Sequence, residues 1–95
     1  MIVITGAARV KPSERETMLR IGVEQVRNSR AEPGCISYHF YEDALEPNAF
    51  FFYEEWKDQA AVDFHSAQTY CLAFIAKARE IAAEEPKITI RPISG

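Results

Sequence analysis

An α+β fold, with an antiparallel sheet carrying its helices on one face, is predicted by two observations in this 95-residue sequence. The run Phe50-Phe51-Phe52-Tyr53-Glu54-Glu55-Trp56 has strand composition, and turn residues that include Pro47-Asn48 separate it from a second such run at 35–42. On either side lie segments with apolar residues at helical spacing, each bordered by a further β-rich stretch. A chain of this length is expected to form one domain, residues 1–95, near the small end of what a single core sustains.

Residues 2–10 are rich in β-branched and small side chains and stop at Lys11-Pro12, which predicts the first strand. Val3 to Arg9 has the look of a nucleotide-binding loop, but the later glycines such a loop needs are replaced by Val10 and Pro12. Ser13 with Glu16 three residues on reads as a capping box opening a helix to about Arg30. Met18, Leu19, Gly22, Val23 and Val26 form its apolar side, while Ile21 falls off that stripe and points toward a partner chain. Pro33-Gly34 ends the segment.

In the strand at 35–42, alternation puts Ile36, Tyr38 and Phe40 on one face and Cys35, Ser37, His39 and Tyr41 on the other. The strand at 50–56 returns antiparallel to it. Asp58 is expected to cap a short helix over 59–65, broken near Ser66. Tyr70, Cys71, Phe74, Ala78 and Ile81 then mark a longer helix ending near Glu84, and Pro86 opens a last strand with Ile88, Ile90 and Ile93 facing one way. The order β-α-β-β-α-α-β is that of a ferredoxin-like sheet. Its bare face would carry Phe51, Tyr53 and Tyr41, and His39 falls on the same side. An open aromatic face of this kind predicts a homodimer.

Composition narrows the function classes. Net charge is −3 with the basic residues scattered, which argues against a nucleic-acid or anionic-membrane surface. No signal peptide or membrane span is expected. Cys35 and Cys71 have no metal-ligand or redox spacing, so they read as small buried residues in a reducing cytoplasm. No metal site is expected.

Chemistry-bearing residues gather between Glu32 and Tyr70. Phe50, Phe52, Glu54 and Trp56 share one strand face, which sets a carboxyl among large rings, the character of a small-ligand pocket. Buried there, Glu54 would have a raised pKa and could act as acid or base; equally, it could form an ion pair with Arg79 or Lys77. His65 could accept a proton near neutrality, or simply sit at a helix end and interact with the dipole. Trp56 serves as core or as pocket wall. Tyr38 and Tyr70 can hydrogen-bond a phenolic ligand or pack with satisfied hydroxyls.

These residues carry a resemblance. Glu32-Pro33-Gly34 with Tyr38, then Phe50-x-x-x-Glu54-x-Trp56, then Ala61 and His65, resembles the antibiotic biosynthesis monooxygenase domain family over nearly the whole chain. The resemblance implies a dimeric α+β barrel with a pocket in each subunit between sheet and helices. It also implies an activity among cofactor-independent oxygenation of anthrone- or quinol-type phenols, haem degradation, and processing of a small signalling molecule. Haem-degrading members pair a first-strand Asn with the pocket Trp and draw an axial His from the long helix. Here the first strand offers Thr5 and Gly6, and residues 70–84 hold no His, so haem is not expected. Phenol-oxidising members often carry an Asn four residues before the Trp, where this chain has Phe52.

The expectation is therefore a cofactor-independent monooxygenase of an electron-rich hydroxylated aromatic. His65 and Glu54 are its catalytic pair, and Trp56, Phe52, Tyr38, Tyr70 and Phe74 hold the substrate. An isomerase-like enzyme on a small oxygenated signal, or a non-enzymatic ligand-binding dimer, are the alternatives. A pocket filled by side chains would favour the last.

Overall fold

The computed structural model describes residues 1–94. Strand β1 (Ile2–Arg9) leads through a 3₁₀ turn (Pro12–Glu14) into helix α1 (Arg15–Arg30). Strands β2 (Cys35–Glu42) and β3 (Ala49–Trp56) form a hairpin, followed by helices α2 (Gln59–Ser66) and α3 (Thr69–Ile81) and strand β4 (Lys87–Pro92). The strands order β2-β3-β1-β4, every neighbouring pair antiparallel. This is the ferredoxin-like α+β arrangement.

Alternation along β3 decides which face is buried. Phe50, Phe52, Glu54 and Trp56 point inward, and Phe51 is left half-exposed on the opposite face. Register sets Ile4 opposite Glu54 and Gly6 opposite Phe52, so β1 supplies the centre of the same inner face. Met18 and Ile21 of α1, Val62 of α2 and Ile81 of α3 close over it. Tyr38 and Phe74 meet Phe52 edge-on, at centroid separations of 6.0 and 5.4 Å. Such pairs add about 0.5–1.5 kcal/mol each beyond simple burial.

Several details depart from expectation, each for a local reason. Ser13 caps nothing: Pro12 opens a 3₁₀ turn that contains it, and α1 starts only at Arg15, without a side-chain cap. Ile21 belongs to the core, while Val23 is exposed. The buried stripe of α1 is Met18, Ile21, Gly22, Gln25 and Ser29, and its two polar members hide it from an apolar count. Register shifts between Cys35 and Ser37, and this irregularity leaves Ile36 exposed while Cys35 packs against the core. Helix α3 stops at Ile81, because Ala82 turns extended and bridges Val10. Ile88 and Ile90 stay half-exposed on edge strand β4, and Ile93 lies beyond its end.

Gly22 is where α1 rests on the sheet. A Cβ there would come within 2.4 Å of the Phe40 ring, which is itself stacked on Phe50 and Phe52. Replacing a helix-interior glycine with alanine ordinarily gains about 1 kcal/mol. Here Gly22→Ala is expected to lose about 1–3 kcal/mol, the scale of overpacking. Urea denaturation measures this, and a gain in stability would show that Phe40 yields freely.

Candidate active site

The site begins with a turn. Behind α1, the Glu32 amide donates to the Ser29 carbonyl and the Cys35 amide to the Glu32 carbonyl, which pins the backbone of Glu32-Pro33-Gly34. Gly34 lets α2 approach: a Cβ there would sit 2.3 Å from that of Ala61. The Lys57 amide donates to the Gly34 carbonyl at 2.9 Å, and the Asp58 carboxylate accepts from the Ala61 amide and caps α2 as expected. The start of α2 is thus clamped against the turn, and this brings His65, one residue from the helix end, over the Glu32 side chain.

There, His65 Nδ1 lies 2.8 Å from Glu32 Oε2, both side chains almost fully buried. The Tyr70 hydroxyl donates to the same oxygen. A carboxylate can only accept, so Nδ1 donates, and in the neutral imidazole Nε2 is then the nitrogen with the lone pair. Nε2 lies 3.5 Å from Cys71 Sγ, and the Gln25 amide donates to that sulfur at 3.6 Å. The Trp56 indole stacks on the other side of the imidazole, with centroids 4.3 Å apart. Glu32 Oε1 and Ser29 Oγ are buried without a protein partner among the described residues.

Glu54 occupies a separate position on the same face. Trp56 Nε1 donates to its Oε1 at 2.9 Å. Among the described residues it pairs with neither Arg79 nor Lys77; Lys77 bonds Glu80 on its own helix. Burial dominates its titration and pushes the carboxyl up to about 7, with Trp56 and Tyr38 partly opposing and the negative charge of Glu32 adding to the rise. Burial likewise raises the Tyr38 hydroxyl, so it remains a phenol.

A cavity of about 250 Å³ lies between the sheet and helices α1 and α3. Gly6 and Ala8 of β1 contribute little volume to its floor, and the cavity persists above them. His65, Glu54, Tyr38, Phe52 and Phe74 line it, whereas Trp56 and Tyr70 do not. Trp56 is fully buried behind the wall, where it orients both His65 and Glu54. Tyr70 is bound to Glu32. Gln25 and Cys71 also line the cavity, although no motif or spacing singled them out. Glu32 stood in the sequence only as part of a turn; its carboxyl next to Pro-Gly, with a His in the following helix, was the one available signal. Among the described residues no group of three or more His, Cys, Asp and Glu side chains converges to hold a metal, and no helix is long and apolar enough to cross a membrane.

Glu54 supplies a stability test. Its folded pKa lies above its ordinary value, so the folded state binds a proton that the unfolded chain has already released between pH 4.5 and about 7. Stability therefore falls as pH rises through that window, by on the order of 3 kcal/mol, and is level above it. Glu54→Gln keeps an acceptor for the Trp56 indole but cannot ionise. Its stability relative to wild type is expected to climb across the same window in chemical denaturation. A difference that stays flat from pH 4 to 8 would rule out a buried, proton-holding Glu54.

Comparison with known proteins places this geometry in context. Residues 1–77 match the family model described as antibiotic biosynthesis monooxygenase. The uncharacterized protein sll1783 of Synechocystis sp. is 40% identical over 93 residues, an alignment covering 98% of this chain but 63% of that protein. YcnE of Bacillus subtilis, provisionally named a monooxygenase, is 40% identical over 81 residues, 85% of each chain. Among solved structures, one described as an antibiotic biosynthesis monooxygenase superposes with a TM-score of 0.91 at 25% identity over the whole of both chains. A provisionally assigned antibiotic biosynthesis monooxygenase from Deinococcus radiodurans superposes with a TM-score of 0.93, covering 100% of this chain and 94% of that one; at 22% identity it attests the fold alone.

Proposed function

The chain belongs to the antibiotic biosynthesis monooxygenase family, and from that premise we propose that it oxidises a small hydroxylated aromatic of the anthrone or quinol type with dioxygen, without an added cofactor. The observation that carries this reading is the Glu32-fixed imidazole, whose free Nε2 belongs to a residue lining an apolar cavity. A substrate of this class carries the electrons itself, so the protein has to remove a proton, exclude water and position the ring.

For an anthrone-type substrate the balance is simple. His65 Nε2 accepts the proton of the enol form, and the resulting anion gives one electron to dioxygen. The radical pair recombines into a carbon–oxygen bond, and the His65 imidazolium returns its proton to give a hydroperoxide. His65 then takes the remaining C–H proton as the O–O bond breaks, and the departing hydroxide is protonated to water. One oxygen atom ends in a carbonyl and the other in water. Glu54, with its carboxyl near neutrality, is suited to protonate the departing oxygen. Phe52, Phe74 and Tyr38 hold the ring, and Trp56 and Tyr70 act from behind the wall. The unfilled cavity favours this reading over a vestigial pocket.

A homodimer through the open sheet face is part of the same proposal. Phe51 and Tyr41 are 42% and 54% exposed there, and His39 stacks on Tyr41 in the same patch. A second copy would remove this surface from water. A cytoplasmic location also belongs to the reading, supported by Cys35 and Cys71 being free thiols.

Oxygen-electrode measurements against a panel of quinols and anthrones test the reaction. The expected result is one dioxygen consumed per anthrone. Substrate loss without oxygen uptake would point to the isomerase alternative, and no turnover of any panel member would overturn the assignment. His65→Ala should lower the rate by about 100-fold or more, the scale of losing a general base. A substrate already ionised in solution should suffer much less, and equal losses for both would remove His65 from proton transfer.

Phe51→Glu should weaken association, because it sets an uncompensated carboxylate in an apolar interface. Light scattering reads this directly; a wild-type monomer at micromolar concentration would exclude the dimer.

A further inference from the structure

Phenol oxidation as proposed uses the ring of His65 and leaves Cys71 without a role. Yet Cys71 Sγ lies 3.5 Å from His65 Nε2, whose other nitrogen is held 2.8 Å from Glu32. The Gln25 amide reaches the sulfur from α1 at 3.6 Å. A thiol, an imidazole and a carboxylate thus stand in the order nucleophile, base and orienting group. The thiol and the imidazole face a ligand-sized space, since Cys71, His65 and Gln25 all line the cavity between the sheet and the helices. The second cysteine, Cys35 on β2, lies outside that cavity, borders a separate one with Arg30 and Ser37, and has no histidine partner among the described residues.

We propose that Cys71, activated by His65 and Glu32, is a nucleophile toward planar α,β-unsaturated carbonyl compounds of the quinone class, which the pocket captures as a covalent thioether. The choice of electrophile follows from the walls. Phe52 and Phe74 suit a flat apolar ring. Conjugate addition also sends the developing charge to an oxygen several bonds away from the sulfur, so no oxyanion cradle is needed beside it. The inference leans on the proposed function only for where such a quinone would arise, as the product of phenol oxidation.

The step balances within the site. His65 Nε2 takes the thiol proton as sulfur bonds the ring carbon β to the carbonyl, and the C=C pair moves onto the carbonyl oxygen. The imidazolium returns its proton there, and tautomerisation leaves an aryl thioether. The addition is redox-neutral overall: both carbonyls become hydroxyls, the ring carbon that exchanges its C–H for the C–S bond is correspondingly oxidised, the sulfur stays at the sulfide level, and no further reductant is needed. At rest, burial raises the Cys71 thiol, reinforced by the charges of Glu54 and Glu32 and opposed by Gln25. The sulfur therefore stays a thiol until His65 takes the proton. A bound adduct occupies the cavity and blocks Nε2, so accumulated quinone shuts the site.

The test supplies a ready-made quinone, which separates it from any failure of oxygenase activity. Purified wild-type protein is incubated with 1,4-naphthoquinone and followed by intact mass and peptide mapping. One quinone should add to Cys71 well before Cys35, and 2-naphthol, a non-electrophilic ring of similar shape, should slow Cys71 alone. His65→Ala should slow labelling of Cys71 by about 100-fold, the scale of losing a general base, and leave Cys35 unaffected. Circular dichroism confirms that the variant is folded; should it not fold, the wild-type site preference and naphthol competition decide. Labelling of Cys35 first, no adduct at all, competition that spares Cys71, or a folded His65→Ala labelled at the wild-type rate would each overturn the proposal.

Discussion

The hydrogen bond from His65 Nδ1 to Glu32 is the contact on which the rest of the site depends. It joins the turn after α1 to the last turn of α2, and through Tyr70 it also reaches the start of α3. Three elements that share little apolar surface at this end of the molecule therefore converge on one carboxylate. Burying such a group is costly unless it is paired, and the imidazole and phenol pair one of its oxygens, Oε2, while Oε1 has no protein partner among the described residues. The same bond decides the chemistry available. With Nδ1 committed, Nε2 is the nitrogen free to accept a proton from a ligand or from the neighbouring thiol.

Trp56 makes a second carboxyl tolerable. Its indole donates to Glu54 and its ring lies against His65, so one fully buried side chain positions an acid and a base at once. The two carboxyls have different surroundings. Glu32 Oε2 meets both His65 and Tyr70, whereas Glu54 has one indole N–H among rings and is pushed up to about 7 by burial. Glu54 lines the cavity, whereas Glu32 lies behind His65 and reaches the cavity only through the imidazole.

The two faces of the sheet divide the work of the chain. On the inner side, small residues at Gly6 and Ala8 leave room for a ligand where large ones would have completed the core. On the outer side, β3 alternates Phe51, Tyr53 and Glu55 toward the open face, where the Ser37 and Tyr53 hydroxyls both donate to the Glu55 carboxylate. Period-two alternation, written in the sequence, separates the face that borders the cavity from the open face.

That alternation, the order of the elements, the Asp58 cap and the grouping of Glu54 with Trp56 were legible in the sequence, because each reports local geometry over two to four residues. The chain itself also determined the family, through the spaced residues from Glu32 to His65. Register slips escaped it: the irregularity at Ile36 and the polar members of the α1 stripe, Gln25 and Ser29, follow from what packs against them. So did the heart of the site. Glu32 is 33 residues from His65 and 38 from Tyr70, and Gln25 is 46 from Cys71. No periodicity encodes separations of that length. Only the docking of α1, α2 and α3 on one sheet face decided that a turn glutamate, a helix-end histidine and a buried cysteine would meet, because tertiary packing alone fixes the distance between side chains so far apart in the chain.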